Sequence, residues 1–271
     1  MAEPLSEQWI AWDNEHQPQR AWRLQAGQSV GPMEIVQGAD DVLKMAAGLR
    51  ILSFAQAAEP AIAVPAKPEA RPILPPQTDL PSVLRVAALS QARPFGQLSG
   101  AACKVEGFLH LNRDWDGVIC LPGFETSHWV QVSAGEVVSF LSFATAPIVH
   151  ALMAKSDEAP QDPDPTALTD TLQDVMSKPE SLALRCAEAR AAWEAGKLSE
   201  TEAHGRLWGA ALGAELAAAR PYWLGQSVAL IAPKALAAPY LAALKSQFVP
   251  VTETDEARMT VAGFAQAIAR A

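Results

Sequence analysis

Two short polar loops carry the side chains best suited to chemistry. In Pro122-Gly-Phe-Glu-Thr-Ser-His-Trp129, Thr126, Ser127 and His128 set two hydroxyls and an imidazole next to one another. Together with Gly123, where a backbone can approach a ligand closely, they can donate hydrogen bonds to an anion. Glu125 in the same loop opposes any such anion. The second loop, Asn14 to Gln19, follows Asp13 and holds Glu15, His16 and Pro18. The other reactive residue types form no constellation. His16, His110, His128, His150 and His204 lack metal-ligand spacing and read as ordinary surface or core histidines. Cys103, Cys120 and Cys186 form neither a zinc pattern nor a disulfide framework. There is no Gly-x-Ser-x-Gly elbow and no Walker glycine-lysine loop.

Strand patterns position both loops. Gln8-Trp-Ile-Ala-Trp-Asp13 reads as a strand, Arg20 to Gln25 as its partner, and Ala26-Gly27 as a turn into a third strand near Met33 to Val36. Further on, Gly117 to Leu121 is an apolar strand, His128 to Val132 follows the loop, and the Ser133-Ala-Gly135 turn leads into Glu136 to Phe143. Helical patterns follow each stretch, at Asp40 to Leu49 and Ile148 to Lys155. One unit recurring in both halves predicts a duplicated α/β architecture. The layout resembles the two-domain sugar-kinase and actin-like ATPase fold, which is ribonuclease H-like. That resemblance implies mixed sheets, an interdomain cleft, and nucleotide phosphates held by the first hairpin loop of each half. The expected domains are residues 1–98, including a Pro-rich segment over 58–81, and residues 99–271.

The Pro-rich segment reads as extended irregular chain over a surface, because proline fixes φ and removes donors. An acidic loop is expected over residues 156–165. Thr166 is expected to cap a helix to Met176, and Leu182 to Glu194 to be a helix closed by Gly196. Ser199-Glu-Thr-Glu202 carries a capping signal. Gly205, Gly209 and Gly213 then recur at four-residue steps in an Ala/Leu-rich helix, read as buried and packed closely on a sheet. Ser227 to Ala232 is a buried strand, and helices over Ala235 to Gln247 and Val261 to Ala269 finish the chain.

The 271 residues carry a formal net charge of −9 and are 49% hydrophobic. Such a chain can bury a substantial core. Its acidity argues against nucleic acid or anionic membrane as a partner. No apolar run is long enough to span a bilayer and none resembles a secretory signal, so a cytoplasmic location is expected. A small sugar acid and a second copy of the chain are the expected partners.

Several colinear segments resemble the 2-dehydro-3-deoxygalactonokinase family. They are Arg20-Ala-Trp22, Pro122-Gly123, Trp129-Val130, Ala195-Gly-Lys-Leu-Ser199, Gly205-Arg-Leu-Trp-Gly-Ala-Ala-Leu-Gly-Ala-Glu215 and Pro239-Tyr240. The resemblance is weakest from about Leu43 to Gln97. It implies transfer of the γ-phosphoryl group of ATP, with Mg²⁺, to the 6-hydroxyl of 2-dehydro-3-deoxy-D-galactonate. It implies that Asp13 holds Mg²⁺ through water, and that Asp13, Gly123, Thr126, Ser127 and His128 contact the nucleotide.

This sequence departs from the family pattern where phosphate chemistry is done. Against the family's Asp-Trp-Gly-Thr-Thr-Asn stands Asp13-Asn-Glu-His-Gln-Pro18, so Glu15 replaces a glycine and brings negative charge toward an anion. Against Arg-Gly-Glu-Glu-Thr-Gln stands Ser99-Gly-Ala-Ala-Cys-Lys104, so Ala101 and Ala102 occupy the positions of the carboxylates expected to supply the general base. Glu106 is the nearest carboxylate that could replace them. Thr145-Ala-Pro147 stands where the family has Thr-Gly-Glu, and Ile231-Ala-Pro-Lys234 where it has Val-Ala-Gly-Thr. The implied reading is a sugar-acid kinase with eroded phosphate loops and general base. The alternative is an inactive kinase-fold protein that binds a metabolite or a protein partner.

Overall fold

Alternation along the first strand organises the first half of the chain. In the computed structural model, which describes residues 7–153 and 162–271, strand β1 (Gln8–Asp13) is buried on both faces. Trp9 and Ala11 join one apolar cluster, Ile10 and Trp12 another. This division follows from the two-residue period of a strand. Helix α1 (Ala39–Ala46) covers the Ile10 face with Val42 and Ala46. The Trp9 face is covered by Cys103 of α2 (Gly100–Leu111) and by Phe264 and Ala267 of α9 (Glu256–Ile268).

The strands of this first sheet are β1, β2 (Gln19–Gln25), β3 (Gln28–Ser29), β4 (Glu34–Val36), β5 (Arg50–Phe54), β7 (Ile73–Leu74) and β8 (Val83–Val86). Their order is β3-β2-β1-β5-β8-β7, with β4 also on β2. β1 runs antiparallel to β2 and parallel to β5, so the sheet is mixed. A three-stranded sheet joins β10 (Phe95–Leu98), β9 (Ala88–Ala92) and β6 (Ala61–Ala63) in that order. The segment expected as irregular surface chain therefore supplies β6 and β7, and it buries Arg71 completely. Proline spacing conceals this because the strands are only two and three residues long.

The third sheet has the order β13-β12-β11-β14-β15: β11 (Gly117–Leu121), β12 (Ser127–Ser133), β13 (Glu136–Phe143), β14 (Val228–Ala232) and β15 (Val251–Asp255). Its helices are α3 (Thr145–Met153), α4 (Pro165–Ser177), α5 (Leu182–Glu194), α6 (Glu200–Ala218), α7 (Arg220–Trp223) and α8 (Lys234–Ser246). Of the expected acidic loop, residues 156–161 lie outside the described residues. Asp164, not Thr166, caps α4, accepting from the Ala167 N–H. The signal at Ser199 is a complete capping box with Glu202.

The glycines of α6 pack on a helix and not on a sheet. A Cβ at Gly205, Gly209 or Gly213 would lie 2.4, 2.3 or 2.8 Å from the carbonyl oxygens of Asp164, Leu168 and Leu172 along α4. By contacts the chain forms two units. The first comprises the described residues up to Asp116, Val132–Phe140 and Asp255–Ala271; the second comprises Gly117–Gln131 and the described residues of Leu141–Thr254.

Candidate functional site

In the first unit, Asp13 ends β1 directly opposite Arg20 on β2. Both are buried, and the Arg20 guanidinium donates to Asp13 Oδ2 at 2.6 Å. The same guanidinium donates to both oxygens of Glu256, at 2.8 and 2.9 Å, and Lys104 Nζ reaches Glu256 Oε1 at 2.6 Å. Two acids and two bases thus form a neutral network drawn from β1, β2, α2 and α9. Burial alone raises the Glu256 carboxyl, but Lys104 and Arg20 pull it down to about 2. Asp13 Oδ1 accepts the backbone N–H groups of Glu15 (3.3 Å) and His16 (3.0 Å), folding the loop back on the strand end.

The position of Glu15 differs from a charge aimed into open space. Its Oε2 accepts the Gly100 N–H at 2.8 Å, at the start of α2, while the Ser99 hydroxyl donates to the Ala55 carbonyl. A Cβ at Gly100 would lie 2.6 Å from Glu15 Oε2, so the glycine is what admits the carboxylate. A helix start favours negative charge, and here a side chain of the chain itself supplies it.

Ala101 is half-buried and Ala102 fully buried in the first turn of α2, so neither offers a group that takes a proton. Glu106 lies buried on the same helix, held on one side by Arg71 at 2.7 Å and on the other by Arg270. Arg71 also donates to the carbonyls of Pro68, Ala87 and Ser99. Glu106 therefore acts as the acid between two arginines.

In the second unit, Gly123 is required by the turn itself, because a Cβ there would sit 2.5 Å from the Thr126 carbonyl oxygen. Ser127 is buried and donates to Glu215 Oε2 at 3.0 Å, and His128 Nδ1 lies 2.9 Å from the Ser142 hydroxyl. Thr126 is half-buried and Glu125 exposed. Phe124 stacks against His150 of α3, with ring centroids 6.1 Å apart. In the sequence Glu215 stands only as the last residue of a family-like helical segment and Lys104 as the last of the Ser99–Lys104 stretch, with no role attached to either, and Glu256 gives no local signal.

These residues bear on whether Mg²⁺ and a nucleotide phosphate fit in the first unit. Both Asp13 oxygens are engaged, the Glu15 and His16 N–H groups point at Asp13, and the Gly100 N–H is taken by Glu15. As arranged, these groups do not form a phosphate cradle. Among the described residues no group of three or more His, Cys, Asp or Glu side chains gathers to hold a metal ion. No helix among them is long and apolar enough to cross a membrane.

Paired mixed α/β sheets, opened in each half by a strand–loop–strand hairpin, define the sugar-kinase and actin-like ATPase fold. A solved candidate 2-dehydro-3-deoxygalactonokinase protein from Sinorhizobium meliloti superposes with a TM-score of 0.81 at 20% identity, covering 97% of this chain and 96% of that one. The activator of 2-hydroxyisocaproyl-CoA dehydratase from Clostridium difficile, solved with bound ADPNP, gives 0.55 at 11% identity over 97% and 96%. Component A of (R)-2-hydroxyglutaryl-CoA dehydratase from Acidaminococcus fermentans gives 0.52 at 9% over 98% and 100%. No curated protein matches the chain significantly. The family model of 2-keto-3-deoxy-galactonokinase matches residues 20–267, and the chain belongs to that family.

Proposed function

We propose that this chain is a 2-keto-3-deoxy-galactonokinase-like protein in which ATP-dependent phosphorylation of a 2-keto-3-deoxy sugar acid is impaired. The observation that carries this reading is the start of α2. Ala101 and Ala102 stand where the resemblance calls for carboxylates, and the Gly100 N–H beside them already binds Glu15. A missing general base costs roughly 10²–10⁴-fold in rate. Each lost preorganised donor costs a further factor on the order of 10²–10³, by analogy with oxyanion holes.

Purified protein titrated calorimetrically with Mg-ATP is expected to give no micromolar dissociation constant. Turnover of 2-dehydro-3-deoxy-D-galactonate is expected near background. Phosphorylation at ordinary enzyme rates by a preparation free of contaminating kinase overturns the reading.

A second reading, binding of a metabolite or protein partner without phosphotransfer, is favoured by the same alanines, since binding needs no base. Heat released on titration with the sugar acid alone, without turnover when Mg-ATP is added, would select it. Under either reading we place the protein in the cytoplasm.

A further inference from the structure

Glu215 lies on α6 in the second unit, 2% exposed. Four neutral donors converge on its carboxylate. Trp129 Nε1 donates to Oε1 at 2.8 Å, while the Ser127 and Tyr240 hydroxyls donate to Oε2 at 3.0 Å each. The Thr145 hydroxyl donates to Oε2 as well. Among the described residues no cation pairs with it. These donors come from separate elements: Ser127 and Trp129 open β12 where the polar loop after β11 ends, Thr145 begins α3, and Tyr240 is on α8.

Each carboxylate oxygen has about two lone-pair sites, so Oε2, with three donors, is oversubscribed while the carboxylate is ionised, and Oε1 takes Trp129 alone. Adding a proton turns one acceptor oxygen into a donor. On Oε1 it would take the site beside the Trp129 N–H, the contact of that oxygen among the described residues, which can never accept. On Oε2 it must displace or reverse one of three hydroxyls. Ser127 has a backbone acceptor in reach, the Phe143 carbonyl at 3.4 Å, whereas the Tyr240 hydroxyl has the Ser127 hydroxyl itself beside it. We propose that Glu215 is a proton-sensitive latch: ionised, it ties the end of the loop between β11 and β12, the start of α3 and α8 to α6; protonated, it releases Ser127. This goes beyond the phosphotransfer reading and holds whether or not the chain turns over a substrate.

The groups around the carboxylate leave the proton to Glu215. Cys120 faces it from β11 and Tyr240 from α8, and burial pushes both thiol and phenol well up, so both stay neutral. His150 on α3 and His204 on α6 pack against Trp208, which meets Tyr240 edge-on. For Glu215 itself, burial raises the pKa, and the pull of the four donors does not fully offset it.

The test follows the Trp129 indole N–H by nuclear magnetic resonance from about pH 8 down to about pH 4, a span chosen around the ordinary glutamate value. The signal is assigned with Trp129→Phe. In the unmodified protein it should move through one midpoint above the usual glutamate range, and the movement should vanish in Glu215→Gln. An unchanged titration in Glu215→Gln, or a stationary signal in protein that stays folded throughout, overturns the proposal. Should Glu215→Gln fail to fold, Tyr240→Phe decides. It removes one donor from the anion and should raise the midpoint by on the order of one pH unit. A midpoint that falls or stays put overturns the proposal equally.

Discussion

Glu256 illustrates how a single residue sets acid sensitivity. Its folded pKa of about 2 lies below the ordinary value of 4.5, so the folded state binds its proton less readily than the unfolded chain does. The resulting stability is fully present above about pH 4.5 and is lost as pH falls toward about 2, roughly 3 kcal/mol in all. Urea unfolding at successive pH values should show this loss in the unmodified protein and a flatter dependence in Glu256→Gln. That variant should also start several kcal/mol lower, because Arg20 and Lys104 lose a buried partner, on the order of 3–5 kcal/mol. A variant with the same slope and midpoint would remove Glu256 from this role. The alanines at the start of α2 likewise differ as single residues. Ala102→Glu would bury a carboxylate where no side-chain surface reaches solvent, whereas Ala101 is half-buried. Ala102→Glu should therefore destabilise by a few kcal/mol while Ala101→Glu is tolerated. Equal thermal midpoints for the two would contradict this. Any attempt to restore a base should accordingly use Ala101→Glu with Glu15→Gly.

At the scale of elements, the contact between α4 and α6 depends on glycines. A methyl at Gly209 would meet the Leu168 carbonyl oxygen at 2.3 Å, and a backbone carbonyl cannot swing aside as a side chain can. Gly209→Ala gains about 1 kcal/mol of helix propensity but loses roughly 1–3 kcal/mol or more to overpacking. Its thermal midpoint should fall; a rise would show that the helices can part at no cost. The sequence announced these glycines by their spacing but not what they pack against, because a four-residue period marks a close approach and leaves the partner open. The hairpins were legible for a different reason. Gln8–Asp13 has an apolar centre between polar ends, Gly117–Leu121 is apolar throughout, and both are bounded by polar chain, so pattern alone locates them. The loop chemistry was legible only in part. Local sequence shows that Glu15 is an acid near a phosphate loop, but its acceptance of the Gly100 N–H joins residues 85 positions apart. The same distance problem hides Arg71 within a run of prolines, since its partner Glu106 lies 35 residues on.

For the whole molecule, the first unit is discontinuous: α9 fills the Trp9 face with Phe264 and Ala267 and supplies Glu256 to Arg20. Deleting residues 255–271 should therefore unfold the first unit and leave the second intact. The indole resonances of Trp9, Trp12, Trp22 and Trp115 should collapse together while those of Trp129, Trp193, Trp208 and Trp223 persist. Collapse of all eight would mean that the second unit also needs α9. The arrangement has a consequence for how the chain is made. Arg20 leaves the ribosome 236 residues ahead of Glu256. At about 5–20 residues per second the gap lasts from roughly ten seconds to most of a minute. Throughout that interval a nascent arginine and an uncovered apolar sheet face must wait for α9, while every residue of the second unit is synthesised between them. Translation speed and chaperone supply, more than the stability of the finished protein, should then govern how much of it accumulates.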